Sequence, residues 1–331
     1  MTEFSVTFAV ATVAVFLLTV LAEHIMIPIL RSHKLGQKIL DIGPRWHKSK
    51  EGTPIMGGIG FILAALIVMA IFFTVQAVKG TAAYYVPLAL TLAFAVGNGA
   101  IGFVDDYCKL VKKQNEGLTR KQKTALQLAI ATAYVATMVA TGHMDTAITL
   151  PFTGYVWDMG WFYYPAAIIV MYGVINGANF TDGIDGLAST VSCVIGVFLG
   201  VLAFTTASWT LSMLSAILIG ATLGFLIYNF HPARVFMGDT GSLFLGALVI
   251  DAAFAAGQEI AGLMISLLFI LELLSSGLQI VYFKLTHGKR LFKMAPIHHH
   301  CEKCGWGEIK IVVIFSLFEA ACCIAAWLIT H

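Results

Sequence analysis

Charge is scarce in this sequence: Asp, Glu, Lys and Arg make up 11% of 331 residues, and no polar stretch is long enough to build a soluble unit. A soluble chain of this length needs a charged surface, so that class is excluded. No basic face or aromatic–basic module is present, which excludes nucleic-acid binding as the activity. The six cysteines (Cys108, Cys193, Cys301, Cys304, Cys322, Cys323) lack the spacing of a secreted disulfide scaffold. Cys193, Cys322 and Cys323 lie in apolar runs and read as packing residues. No positive region precedes the first apolar run, which is itself long enough to span, so no cleavable signal peptide is expected. There is no internal repeat, direct or inverted, and that weighs against a secondary transporter.

What is present is apolar sequence: 59% hydrophobic residues and a mean hydropathy of +0.86. A bilayer core takes roughly 20 apolar residues per helix. Ten segments qualify, at about 4–30, 54–78, 84–104, 124–141, 157–175, 187–204, 210–228, 240–256, 260–285 and 309–330. The expected fold is all-α, a single polytopic membrane unit over 1–331 with about ten transmembrane helices. Glu272 and Ser275-Ser276-Gly277 interrupt the ninth, so a bend or break is expected there. Glu23, Asp251, Glu272 and Glu319 fall in or beside spans and should face the protein interior.

Basic residues favour cytoplasmic loops. With the N-terminus outside, the inside loops and their borders hold 19 of the 20 lysines and arginines, and only Lys79 falls elsewhere. That partition puts both termini on the outer side of the membrane. It also brings every chemistry-bearing motif to the cytoplasmic face.

Those motifs are acidic. Asp105-Asp106 closes the third span, where the helix end is already negative. Two adjacent carboxylates there suit a metal ligand or a general base acting on phosphate, or a solvated helix end paired with Lys109 or Lys112. Asp182 and Asp185, with Asn179, lie in a Gly-containing turn between two greasy segments. Asp239 enters the eighth span within Gly238-Asp239-Thr240-Gly241-Ser242, where it could cap the helix. Equally, the hydroxyls and amides of that helix N-terminus favour an anion, and one carboxylate with substrate phosphates suits magnesium. His298-His299-His300 and Cys301/Cys304 have poor spacing for zinc; histidines that position a phosphate or sugar fit better. Lys48, Thr53, Lys113, Lys121 and Lys123 form a rim suited to an anionic nucleotide and a lipid phosphate, though each lysine alone could be merely topogenic.

With these residues in view, the sequence resembles the phospho-N-acetylmuramoyl-pentapeptide transferases of the polyprenyl-phosphate N-acetylhexosamine-1-phosphate transferase superfamily, over essentially its whole length. The resemblance rests on Gly-Thr-Pro-x-Met-Gly-Gly at 52–58, Gly-Phe-x-Asp-Asp at 102–106 and Asn-x-Thr-Asp-Gly-x-Asp-Gly at 179–186. Phe-Met-Gly-Asp-Thr-Gly-Ser at 236–242 and Pro-Ile-His-His-His at 296–300 complete it. Ile55 stands where many members have Thr. The resemblance implies transfer of phospho-N-acetylmuramoyl-pentapeptide from UDP to undecaprenyl phosphate, giving lipid I and UMP in peptidoglycan biosynthesis. It implies Mg2+ held by Asp239, and Asp105 with Asp106 beside it at the lipid phosphate. Asn179, Asp182, Asp185, Asn229, Phe236 and Gln279 would line the nucleoside and phosphate cleft, with His298 and His299 on the phosphate side. Intramembrane helix faces are compatible with a homodimer. The rival readings are a UDP-N-acetylhexosamine transferase of the same superfamily and an ion-coupled transporter. A single displacement with Asp105 as base and a covalent step on Asp239 both fit the sequence.

Overall fold

The computed structural model describes residues 2–32, 50, 52–111, 117–150 and 153–330, so Lys48 and Lys113 lie outside the described residues. In chain order the elements are α1 (Thr2–Ser32), α2 (Gly58–Val78), α3 (Val86–Val111), α4 (Arg120–Ala140), β1 (Ala147–Thr149) and β2 (Val156–Asp158). They continue as α5 (Tyr163–Thr181), α6 (Leu187–Thr206), α7 (Trp209–Asn229), α8 (Gly238–Ala255), α9 (Glu259–Met264), α10 (Leu267–Leu285), α11 (Ile297–Lys303) and α12 (Glu308–Thr330). Among the described residues nine helices are long and apolar enough to cross a membrane. The other long helix, α5, is not among them, and its last turns carry Asn176 and Asn179.

Helix α8 is the axis, buried from Thr240 to Phe254 on every side. A helix apolar all round belongs inside a bundle. Small residues let its neighbours close on it, as they do inside membranes, where apolar side chains gain nothing by leaving lipid. A Cβ on Gly58 of α2 would overlap the Gly241 backbone, one on Gly102 of α3 the Asp239 carbonyl, and one on Gly246 would meet Ala178 of α5. At the rim, α1 packs on α7 and shows Val6, Val10, Val13, Leu17, Leu21 and Ile25 outward. That spacing makes a lipid-facing stripe.

One expectation changes in detail. The ninth span is broken, but at Ile265-Ser266, between α9 and α10; α10 runs unbroken through Glu272 and Ser275-Ser276-Gly277. The helix continues through them: Ser275 Oγ donates to the Glu272 carbonyl one turn back at 2.8 Å, and one oxygen of the Glu272 side chain reaches His298. The all-α expectation holds, with one small addition on the loop before α5, a hairpin of two three-residue strands, β1 antiparallel to β2 with Ile148 opposite Trp157. Asp158 accepts from Thr146 Oγ1 at 2.6 Å, so it closes the hairpin rather than starting α5.

Candidate active site

The ends of α3, α5 and α8 meet at one end of the bundle. Gly238 begins α8 with φ of 70°, a left-handed turn that suits glycine. The free amides that follow are capped from another helix. Asp106 Oδ2 accepts from the Thr240 N–H at 3.0 Å and from Thr240 Oγ1 at 2.8 Å. Its Oδ1 accepts from the Asp239 N–H at 3.3 Å. Asp239 is therefore not needed as its own helix cap, and its carboxylate turns into the site.

There Asp239 Oδ1 accepts from Asn179 Nδ2 at 2.9 Å, and Oδ2 takes Lys109 at 3.1 Å and Lys123 at 2.9 Å. Asp105 holds Lys109 at 2.6 Å and accepts from the Leu118 N–H at 2.7 Å. One oxygen from each of Asp105, Asp106 and Asp239 falls within 4.8 Å of the others. Three carboxylates so close repel one another unless cations stand between them; two lysines do so.

Asp182 ends α5 and faces the same charges. Burial pushes its carboxyl well above the usual range, and the negative charges of Asp239, Asp106 and Asp185 add to that. Asp185 goes the other way. Burial would raise it, but Lys50 at 2.7 Å, the Ala233 N–H at 3.0 Å and His231 at 2.9 Å bring it below the ordinary value. Lys50 also binds Glu308 at 2.6 Å. These residues, with Thr53, Glu302 and Trp306, line a cavity of about 560 Å³, within the usual range for small-molecule sites.

Over residues 86–257 the chain matches the family described as glycosyl transferase family 4, which spans the helices that carry all four aspartates of the cluster. Phospho-N-acetylmuramoyl-pentapeptide-transferase of Halalkalibacterium halodurans is 43% identical, covering 91% of this chain and 90% of that one. The protein of the same name from Caldicellulosiruptor bescii is 40% identical over 96% and 95%, and that of Listeria monocytogenes 41% over 93% and 92%. The chain belongs to the phospho-N-acetylmuramoyl-pentapeptide transferase family. It is a bacterial membrane protein.

Against that family's expected site, the structure brings Asp105, Asp106, Asn179, Asp182 and Asp239 together, with Asp185 on the adjoining cavity wall. Thr53 lines that cavity, and Lys121 is exposed in the first turn of α4. Phe236 is half-buried, its backbone paired with Pro54 and Gly57. Other expected contacts point inward. Asn229 is buried, donating to the Val235 carbonyl at 3.0 Å and accepting from Ser189 at 3.1 Å, so it shapes the loop after α7. Gln279 accepts from the Leu291 and Phe292 amides at 3.1 and 2.9 Å and clamps the segment leading to α11. His299 bonds Glu302 at 2.5 Å. His298 is fully buried behind Gly183.

Sequence reasoning placed Lys123 on the rim, took Lys109 or Lys112 as the partner of Asp105-Asp106 at a solvated helix end, and gave no role to His231 or Glu308. Lys109 follows Asp105 by one helical turn, a spacing that signals an ion pair. Nothing in the sequence signals that Lys50, His231 and Glu308, from three distant segments, share one cavity.

Proposed function

We propose that this protein transfers phospho-N-acetylmuramoyl-pentapeptide from its UDP derivative to undecaprenyl phosphate, at the cytoplasmic face and with magnesium. The observation that carries the reading is the meeting of Asp105, Asp106 and Asp239 with Lys109 and Lys123, in a chain whose relatives bear this activity in their names. An oxygen of the lipid phosphate attacks the sugar-linked phosphorus; the bond to the nucleotide phosphate breaks, and UMP leaves with the electron pair. Asp105 orients the acceptor phosphate and takes its proton if it arrives protonated. Lys109 and Lys123 hold the anions against one another, and such fixed charges need no reorganisation during reaction. The nucleoside occupies the cavity beside Asp185, within reach of Thr53.

The donor set fits a hard divalent cation. Asp106 is committed to the α8 amides, which leaves Asp105 and Asp239, and the volume between them already accommodates the Lys109 ammonium. Magnesium prefers one or two carboxylates plus substrate phosphates. Bound there, it would neutralise the diphosphate and the departing phosphate.

The test is UMP release by purified protein given undecaprenyl phosphate. Release is expected with UDP-N-acetylmuramoyl-pentapeptide and magnesium, falls to background on chelation, and is abolished by Asp239→Asn. Faster release from UDP-N-acetylglucosamine would move the protein to the hexosamine branch, and substantial turnover by Asp239→Asn would remove the role of that residue.

A further inference from the structure

His298 and Glu272 form a pair that no solvent reaches. Both are 0% exposed, and His298 Nδ1 lies 2.9 Å from Glu272 Oε2. The contact joins one nitrogen of the ring to one oxygen of the carboxyl group and leaves the other atom of each facing elsewhere. Yet Nε2 has no hydrogen-bond partner among the described residues, and neither has Glu272 Oε1. Leaving both atoms unsatisfied is costly, which argues that their position is selected for something other than stability.

The unpartnered nitrogen points at the acidic turn. A Cβ on Gly183 would overlap His298 Nε2 and lie 2.7 Å from Cε1. Gly183 is the residue between Asp182 and the Ile184-Asp185 pair, so three elements converge on it: α10 through Glu272, α11 through His298, and the α5–α6 turn. Because the imidazole is sealed behind Gly183, a bound diphosphate cannot touch it while the turn stays in place. A group that touches only the back of a loop can act only by setting where that loop stands.

We propose that Glu272 and His298 are positioning residues, a buried strut that holds the Asp182–Asp185 turn in register with Asp239. Glu272 fixes the tautomer and angle of the ring, in the way a carboxylate orients a working histidine elsewhere. The ring edge fixes Gly183. Asp182 then faces Asp239, and Asp185 faces Lys50. This rests on the transferase reading for its assay but makes a separate claim about which residues touch substrate.

The experiment uses full-length protein in detergent and measures UMP release and backbone hydrogen exchange. Glu272→Met and His298→Ala should each lower kcat about tenfold to a hundredfold, and the double variant should be no worse than the poorer single. Glu272→Gln, which keeps an acceptor oxygen, should recover to within about threefold of wild type; a packing role would instead be met by Met. Gly183→Ala should be costly in the wild-type background and add nothing when His298→Ala is present. Amides 183–186 should exchange faster in Glu272→Met and His298→Ala while those of α8 do not. Multiplicative losses in the double variants, Met equal to Gln at position 272, or unchanged exchange in the turn would each overturn the strut. Silence of the wild-type protein would instead defeat the transferase reading, while the exchange measurement would still decide the strut.

Discussion

Asp106 and Asp239 are chemically identical, yet they do different work because of what surrounds each. Asp106 accepts from the first amides of α8, and this frees Asp239 to meet Asn179 and two lysines. Asp182 and Asp185, three residues apart, diverge in the same way, one raised by burial among like charges and the other lowered by Lys50, Ala233 and His231. The lowered one gives a pH prediction. An acid depressed in the folded state contributes stability that is present above its unfolded pKa, about 3.9, and lost as pH falls through the folded value. Asp185→Asn should therefore cost on the order of 1–3 kcal/mol at pH 7, read as a lower Tm. Its gap from wild type should narrow as pH drops below about 4. An equal gap at pH 7 and pH 3 would contradict the pairing.

At the scale of elements, the site depends on how closely helices approach α8. Gly102 brings α3 against the Asp239 carbonyl, and the obstacle to a larger residue is backbone, which cannot rotate away. We expect Gly102→Ala to cost about 1–3 kcal/mol through overpacking and to cut UMP release at least tenfold, while the amount of extracted protein stays close to wild type. Full activity would mean that the α3–α8 spacing is not what aligns Asp105 with Asp239. The segments themselves were legible in advance, because a run of some 20 apolar residues reads as a span whatever packs beside it. The break in the ninth was legible only as an event. Glu272 and Ser275 looked like the interruption, but Ser275 bonds back within its own helix and Glu272 meets His298, and the chain parted at Ile265-Ser266 instead. The β1–β2 hairpin was missed because three-residue strands are too short to show a period of two.

For the whole molecule, the acidic clusters and most of the described basic residues gather at one end, and Lys79 pairs with Glu3 at the other, 2.6 Å apart. Basic residues favour the cytoplasm, so the cluster end should face it. In a variant retaining Cys304 as its sole native cysteine, an impermeant maleimide should label Thr153→Cys in intact spheroplasts and reach Cys304 only after lysis. The reverse pattern would invert the orientation and put the site out of reach of a cytosolic nucleotide.

Composition and motif order by themselves determined that this chain is a helical membrane protein, which acidic motifs stand out at the ends of its spans, and which family it resembles. Those properties are local: hydropathy sums over a window, and a motif is read along the chain. Tertiary structure alone decided which aspartate caps α8 and which meets Asn179, Lys109 and Lys123. It also put His298 behind Gly183, and drew Lys50, His231 and Glu308 around one cavity. The reason is that a charge takes its role from neighbours a few ångströms away in space, and here those neighbours stand up to 258 positions away in the chain.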